Sequence, residues 1–282
     1  MITIGEKINA TIPEVKRIII ERNEKKLLDL VKLQEKADYI DLNVATGIGA
    51  REQEISDMKW AITTIQNELD VSLCIDSADP EVIDAGLSIM KTHALINSTT
   101  AESESLNKIL PLAKKYQSSF IALAMDENGI PKTTEGRIDS CRKIVNECKK
   151  IGITLNHIFF DPLMLPIATD PKQSKVTLDT LSTIKKEFPE TSTVIGLSNV
   201  SFGLPARINI NIAFLQMAIY AGLDAAILDP TELKLINAIL SAEAVIGKDR
   251  HFRRYNRVFH RLRSVKTETL NSKSPLKKAL LN

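Results

Sequence analysis

The chain has 282 residues, 44% hydrophobic and 26% charged, which excludes a disordered or disulfide-scaffold class and supports one large core. The net charge of +2 hides an asymmetry: residues 248–282 hold eleven Lys/Arg against Asp249 and Glu268, a net +9, so residues 1–247 carry −7 and argue against a nucleic-acid partner. Cys74, Cys141 and Cys148 are too sparse for a disulfide framework, no apolar run reaches membrane-spanning length, and Met1 leads quickly into charged sequence, so the expectation is a cytoplasmic protein with free thiols and no membrane partner.

In chain order, Ile2–Gly5 reads as a short strand followed by the polar Glu6-Lys7-Ile8-Asn9, and a helical pattern follows over 24–37 with Leu27, Leu28, Val31 and Leu33 on its inner side. Tyr39–Asn43 is a second strand ending in Asp41 and Asn43, and residues 52–69 are helical. Ser72–Asp76 is a third strand with a carboxylate at its tip, and Asp79-Pro80 opens a helix to about Met90, with Pro80 suited to a first helical position. Ala94–Asn97 is the fourth strand and Ser103–Tyr116 its helix; Ser119–Met125 is the fifth, followed by the loop Asp126–Gly129 and a helix over 135–151. Ile158–Pro162 is the sixth, then a long loop and a helix from Lys175 to Phe188. The apolar run Thr193–Leu197 is the seventh strand, breaking at Ser198-Asn199 into a loop with Gly203 and Pro205 before a helix over Arg207–Ala221. Ala225–Pro230 is the eighth, with a helix over 232–246.

Eight strand–helix units in alternation predict a (β/α)8 TIM barrel spanning residues 1–247, with 248–282 as a basic C-terminal extension. A doubly wound open sheet fits less well, because polar residues end nearly every strand, whereas an open sheet gathers ligand contacts at one switch point. Neither G-x-G-x-x-G nor G-x-x-x-x-G-K-[ST] occurs, so nothing supports a phosphate cradle of those kinds.

The strand ends supply Glu6, Asn9, Asp41, Asn43, Asp76, Asn97, Asp161, Ser198, Asn199 and Asp229. Carboxylates at a barrel rim accept paired donors from an amidine-like ring edge, and a neighbouring Asn adds a donor and an acceptor. This suits a flat, nitrogen-rich heterocycle better than a phosphate. Helix capping is the alternative use of such Asp residues, and Asp70 and Asp79 are read that way. The four histidines are scattered, no H-x-x-x-H or C-x-x-C occurs, and Cys74 reads as core, so no metal is expected.

Glu6-Lys7-Ile8-Asn9, Tyr39-Ile40-Asp41-Leu42-Asn43, Cys74-Ile75-Asp76-Ser77, Ile96-Asn97-Ser98, Phe160-Asp161-Pro162-Leu163 and Gly196-Leu197-Ser198-Asn199-Val200-Ser201 together resemble the pterin-binding methyltransferases, in particular the methyltetrahydrofolate:corrinoid protein methyltransferases. The resemblance runs in order through residues 1–247. It implies a homodimeric TIM barrel that binds tetrahydrofolate or methyltetrahydrofolate as substrate, with the corrinoid (cobalamin) carried by a partner corrinoid protein. It also implies that Asp76, Asn97 and Asp161 hold the pterin ring, that Gly196 and Ser198 border it, and that Asn199 is the catalytic side chain near N5. Arg207 is a basic residue at the same rim, and Glu6 and Asn9 join the substrate-binding set. The direction of transfer is not implied. The basic extension reads either as a solvated terminus or as a docking arm for an acidic corrinoid protein. Dihydropteroate synthase, the rival family, resembles the chain less well, because Asp161-Pro162 is followed by Leu163-Met164 where that family has D-P-G-x-G-F, and its S-x-R-x-H ending is missing. A non-catalytic folate-binding protein stands as the second alternative.

Overall fold

Short apolar strands buried at consecutive positions form the centre of this chain. In the computed structural model, which describes residues 1–260, eight parallel strands form a closed barrel in sequence order. They are β1 (Ile2–Asn9), β2 (Tyr39–Asn43), β3 (Leu73–Asp76), β4 (Leu95–Thr99), β5 (Ser119–Leu123), β6 (Ile158–Asp161), β7 (Ser192–Gly196) and β8 (Ala225–Leu228). The surrounding helices are α1 (Pro13–Ile20), α2 (Glu24–Leu33), α3 (Arg51–Glu68), α4 (Pro80–Leu87), α5 (Ser103–Tyr116), α6 (Thr134–Ile151), α7 (Gln173–Glu187), α8 (Arg207–Tyr220) and α9 (Leu233–Val245). The barrel is therefore the expected (β/α)8 fold.

Alternate residues of each strand face the helices and the barrel axis. Leu42, Ile75, Ile96, Phe120 and Phe160 pack outward with the helix layer. Ile4, Cys74, Leu95, Ile121, Phe159, Val194 and Ala225 fill the interior as one apolar cluster. Each buried Ile, Leu, Val or Phe among them contributes about 2 kcal/mol. Two residues farther along the same strands come Glu6, Asp76, Asn97, Leu123, Asp161, Gly196 and Ile227, so the period that makes the apolar floor also sets a mostly polar layer above it. Cys74 belongs to the floor, as its sequence context predicts.

The departures from the sequence pattern are local. β1 does not stop at Gly5 but continues to Asn9, with a register shift between Gly5 and Ile8. Gln34 is buried beside that shift, and its Oε1 accepts the Lys7 N–H at 3.0 Å. A Cβ at Gly5 would meet the same Oε1 at 2.4 Å, so the close approach needs glycine. The helix expected over 24–37 accordingly ends at Leu33, which is 61% exposed while Gln34 points inward. Helix α1 has no counterpart in the predicted elements. Asp79 caps α4 by accepting Glu81 N–H, with Pro80 in its first turn as expected, whereas Asp70 lies between α3 and β3 and caps no helix.

The start of the basic extension is tied to the barrel. Asp249 accepts the N–H groups of Arg254 (3.0 Å) and Tyr255 (2.8 Å), where helical residues 253–260 begin. Buried Glu243 pairs with the Met1 amino group and with Arg254 Nη1 at 2.7 Å. The rest of the basic extension, read from the sequence as a solvated terminus or a docking arm, lies outside the described residues. No helix among the described residues is long and apolar enough to cross a membrane.

Candidate active site

Strands β2, β3 and β4 bring four polar side chains into contact. Asn43, Asp76 and Asn97 stand in one register row, and Asp41 lies one layer deeper opposite Cys74. Asn43 Nδ2 donates to Asp76 Oδ2 at 3.0 Å, and Asn97 Nδ2 donates to Asp41 Oδ1 at 3.2 Å. Asp41 is only 6% exposed, and burial, with the Asp76 charge added, pushes its carboxyl up to about 7. Burial also raises Asp76, against the Asn43 amide. Both carboxyls are raised, and the charge of Asp76 disfavours ionisation of Asp41, so the two do not ionise together cheaply. Above them a 400 Å³ cavity opens, lined by Asp76, Asn97, Ser98, Thr100, Lys108 and Leu123 among others.

Asp161, at the tip of β6 beside Leu123, is 8% exposed. Burial pushes its carboxyl up to about 7, opposed by the Leu163 N–H donated to Oδ1 at 2.7 Å and by the charge of Arg137.

Across the mouth, β7 runs into a short 3₁₀ helix, Leu197–Ser201, where the sequence pattern predicts a loop. Ser198 Oγ donates to Glu6 Oε2 at 3.2 Å. Arg207 Nη2 donates to Ser198 O at 2.6 Å and its Nε to Ser201 Oγ at 3.0 Å, so the guanidinium braces this turn from the start of α8. Asn199 is exposed, and its side-chain amide makes no hydrogen bond among the described residues. It stands over Gly196, where a Cβ would lie 3.1 Å from Asn199 Nδ2. Burial raises Glu6, reinforced by Asp229 and opposed by the Ser198 hydroxyl and by Lys7 and Arg207. Lys7 Nζ donates to Asp229 Oδ2 at 2.7 Å. Although burial would raise Asp229, Lys7 and Thr231 outweigh it and hold that carboxyl low. The register shift in β1 is what places Glu6 and Lys7 side by side at the mouth.

The structure thus gathers Asp76 and Asn97 in one cavity, joins Glu6 to Ser198, sets Asn199 over Gly196, and puts Arg207 behind that turn. Because β3 and β7 are four strands apart in an eight-stranded ring, Asp76 and Asn199 stand on opposite arcs. Asn9 is at the rim, but its Oδ1 already accepts Thr11 N (2.9 Å) and Thr11 Oγ1 (2.7 Å) in the turn leading to α1. Asp41, Asn43 and the Lys7–Asp229 pair received no individual role from sequence reasoning. The spacing of two between Asp41 and Asn43 already placed both on one side of β2. Arg137 carried no such signal. Among the described residues no three His, Cys, Asp or Glu side chains converge on a metal-sized site.

A family model described as pterin binding enzyme matches residues 6–229. The chain is 34% identical over 263 residues to the methylcorrinoid:tetrahydrofolate methyltransferase of Eubacterium limosum, covering 92% of this chain and 96% of that protein. It is 29% identical over 252 residues to the methionine synthase of Mycobacterium leprae, covering 85% of this chain and 21% of that much longer protein. The dihydropteroate synthase of Yersinia pestis, solved with a sulfonamide drug complex, superposes with a TM-score of 0.65 at 16% identity, over 88% of this chain and 94% of that one, a likeness of fold.

Proposed function

The chain belongs to the pterin binding enzyme family, and on that premise we propose that it moves a methyl group between N5 of tetrahydrofolate and the cobalt of a corrinoid carried by a partner protein. The free amide of Asn199 carries this reading: it is exposed and without a hydrogen-bond partner among the described residues, beside the β6 strand that ends in Asp161 and across the mouth from the desolvated Asp41 and Asp76.

Asp161, Asp76 and Asn97 hold the ring. A buried carboxylate short of donors gains two when it accepts the amino and ring N–H of a pterin edge, and charge-assisted pairs of this kind are strong and directional. Asn97 supplies the mixed donor and acceptor that a carboxylate lacks. With the ring fixed, N5 is brought to Asn199. Displacement at a methyl on nitrogen is slow because the amine leaves poorly, so a hydrogen bond that strengthens as charge changes at N5 lowers the barrier. A neutral amide does this without placing a carboxylate beside the methyl. Gly196 leaves the space, and Ser198 and Arg207 hold the turn. The corrinoid supplies a nucleophilic cobalt in one direction and the methyl group in the other, and the same residues serve both.

In this reading residues 1–247 form the pterin-binding unit of a cytoplasmic enzyme and 248–282 an extension from it. A homodimer is part of the proposal, since α8 and α9 expose Met217, Tyr220, Leu233 and Val245, apolar surface that a second copy would cover. The test is anaerobic and spectroscopic. Purified protein is mixed with tetrahydrofolate and methylcobalamin, and separately with methyltetrahydrofolate and cob(I)alamin, while the cobalt absorbance is followed. Methyl exchange in at least one pair is expected. Folate binding without exchange in either pair, even with a corrinoid protein added, would reduce the chain to a folate-binding protein.

A further inference from the structure

Arg137 heads the fully buried side chains of the molecule by volume, and it forms no salt bridge among the described residues. A buried cation is costly unless its donors are satisfied and a counter-charge is near. Its donors are satisfied by neutral groups: Nε by Pro131 O (3.0 Å), Nη1 by Pro162 O (2.8 Å), Leu163 O (2.9 Å) and Thr177 Oγ1 (3.0 Å), and Nη2 by Gln173 Oε1 (2.7 Å). One guanidinium therefore joins the loop entering α6, the turn leaving β6 and the first turns of α7. A planar fork with five donors can do this, and an ammonium cannot.

The turn held in this way carries Asp161. Leu163 sits at φ 63°, left-handed backbone that a branched side chain adopts only when held there. Both of its polar backbone groups are engaged: its N–H donates to Asp161 Oδ1, and its carbonyl accepts from Arg137 and, at 3.2 Å, from Thr177 Oγ1. Arg137 thus fixes the peptide that fixes the carboxylate. It is also the charged side chain that acts on Asp161; β5 places Leu123 beside that carboxyl, β7 carries the uncharged Ser192–Gly196, and α7 presents Gln173 and Thr177.

We propose that Arg137 is a positioning residue for ligand binding: it locks the Pro162–Leu163 turn so that Asp161 presents its carboxylate to the barrel mouth, and its buried positive charge is the counter-charge of that carboxylate. The inference rests on the reading of Asp161 as a pterin ligand.

Tetrahydrofolate is titrated calorimetrically, without oxygen, into the full chain and into Arg137→Gln, Asp161→Asn and Arg137→Gln/Asp161→Asn, between about pH 6 and about pH 9. Wild-type affinity is expected to rise through neutral pH as Asp161 ionises. In Arg137→Gln the midpoint moves up by about one pH unit, giving about a tenfold loss at the acid end that closes at the alkaline end. In the Asp161→Asn background the same change has little further effect. A folded Arg137→Gln with the wild-type midpoint, or with an undiminished effect in the Asp161→Asn background, overturns the proposal. Should Arg137→Gln not fold, Arg137→Lys decides. A loss of affinity at every pH that disappears in the Asp161→Asn background supports positioning, and wild-type affinity refutes it. Wild-type protein that binds no tetrahydrofolate at any pH overturns the reading of Asp161 itself, a result separate from any of these.

Discussion

The barrel mouth holds buried carboxylates in two different ways. On the β2–β3 side, Asp41 and Asp76 restrain each other: burial raises both, the charge of Asp76 adds to the rise of Asp41, and the amides of Asn97 and Asn43 fix them. On the β6 side, Asp161 has no acidic partner among the described residues; a backbone N–H and the charge of the interior cation Arg137 act on it. The first arrangement makes ionisation of one acid depend on the other, and the second orients a single carboxyl. Burial is the common cause, since it makes either carboxyl hungry for donors. The difference teaches that desolvated acids at a binding site need a local means of bearing the charge, and that side-chain pairing and backbone geometry are alternative means.

Removing the oriented carboxyl should have the largest effect. Asp161→Ala is expected to weaken tetrahydrofolate binding by about a hundredfold or more, since charge-assisted hydrogen bonds contribute about 1.5–3 kcal/mol each. Calorimetric titration reads this directly, and affinity within a few-fold of wild type would remove Asp161 from the site. At the end of the neighbouring β7, Asn199→Ala is expected to lower the methyl-transfer rate about a hundredfold while the folate Kd moves about threefold or less, the signature of an interaction made chiefly in the transition state. Parallel losses of rate and affinity would show that Asn199 serves binding alone.

A third expectation concerns stability without ligand. Asp41 and Asp161 both titrate near 7 in the fold, well above the ordinary carboxylate range. A raised carboxyl stabilises the folded state when protonated, and that stability is lost as pH rises through the folded value. On going from about pH 8 down to about pH 6, each should therefore add about 1 kcal/mol to unfolding free energy. Chemical denaturation at several pH values checks the sign. Asp41→Asn and Asp161→Asn should each flatten the profile by a similar amount, and a flat wild-type profile would contradict both assignments. The smallest effect is expected at Gly196→Ala, whose added Cβ would press on Asn199 Nδ2 at 3.1 Å. The backbone there is at an ordinary negative φ, so stability should change by less than about 1 kcal/mol and the transfer rate should fall only about three- to tenfold. An unchanged rate would mean that the Asn199 amide is not held against Gly196.

Much of the fold was legible because its causes are local. β2 is found at the predicted residues, Ser103–Tyr116 is helical from end to end as the pattern predicts, and Pro80 sits where its missing N–H costs nothing. What misled the pattern was compensation from a distance. Glu6 and Lys7 read as the end of a strand because charge in a buried strand is costly, yet β1 continues through them, with Gln34 meeting the Lys7 N–H and Ser198 meeting Glu6. Leu33 reads as inward by period, but Gln34 takes the interior position to serve that same peptide.

The candidate site divides along the same line. Polar residues at strand ends can be listed from the chain alone, because a strand is recognised by its own side chains and its last inward position by a period of two. Which of them touch depends on register between strands far apart in sequence. Only that register pairs Asn97 with Asp41 and Asn43 with Asp76, and only the closed ring sets Asn199 on the opposite arc. Arg137 is the clearest instance. In the chain it is one more charged residue near the start of a helix, and only the packed structure surrounds it with five carbonyl, hydroxyl and amide partners from three segments and sets its charge to act on Asp161. Periodicity along the chain determined the barrel and its polar rim. Long-range packing decided which charges are buried, because the stability of a buried charge depends on neighbours that the local sequence does not contain.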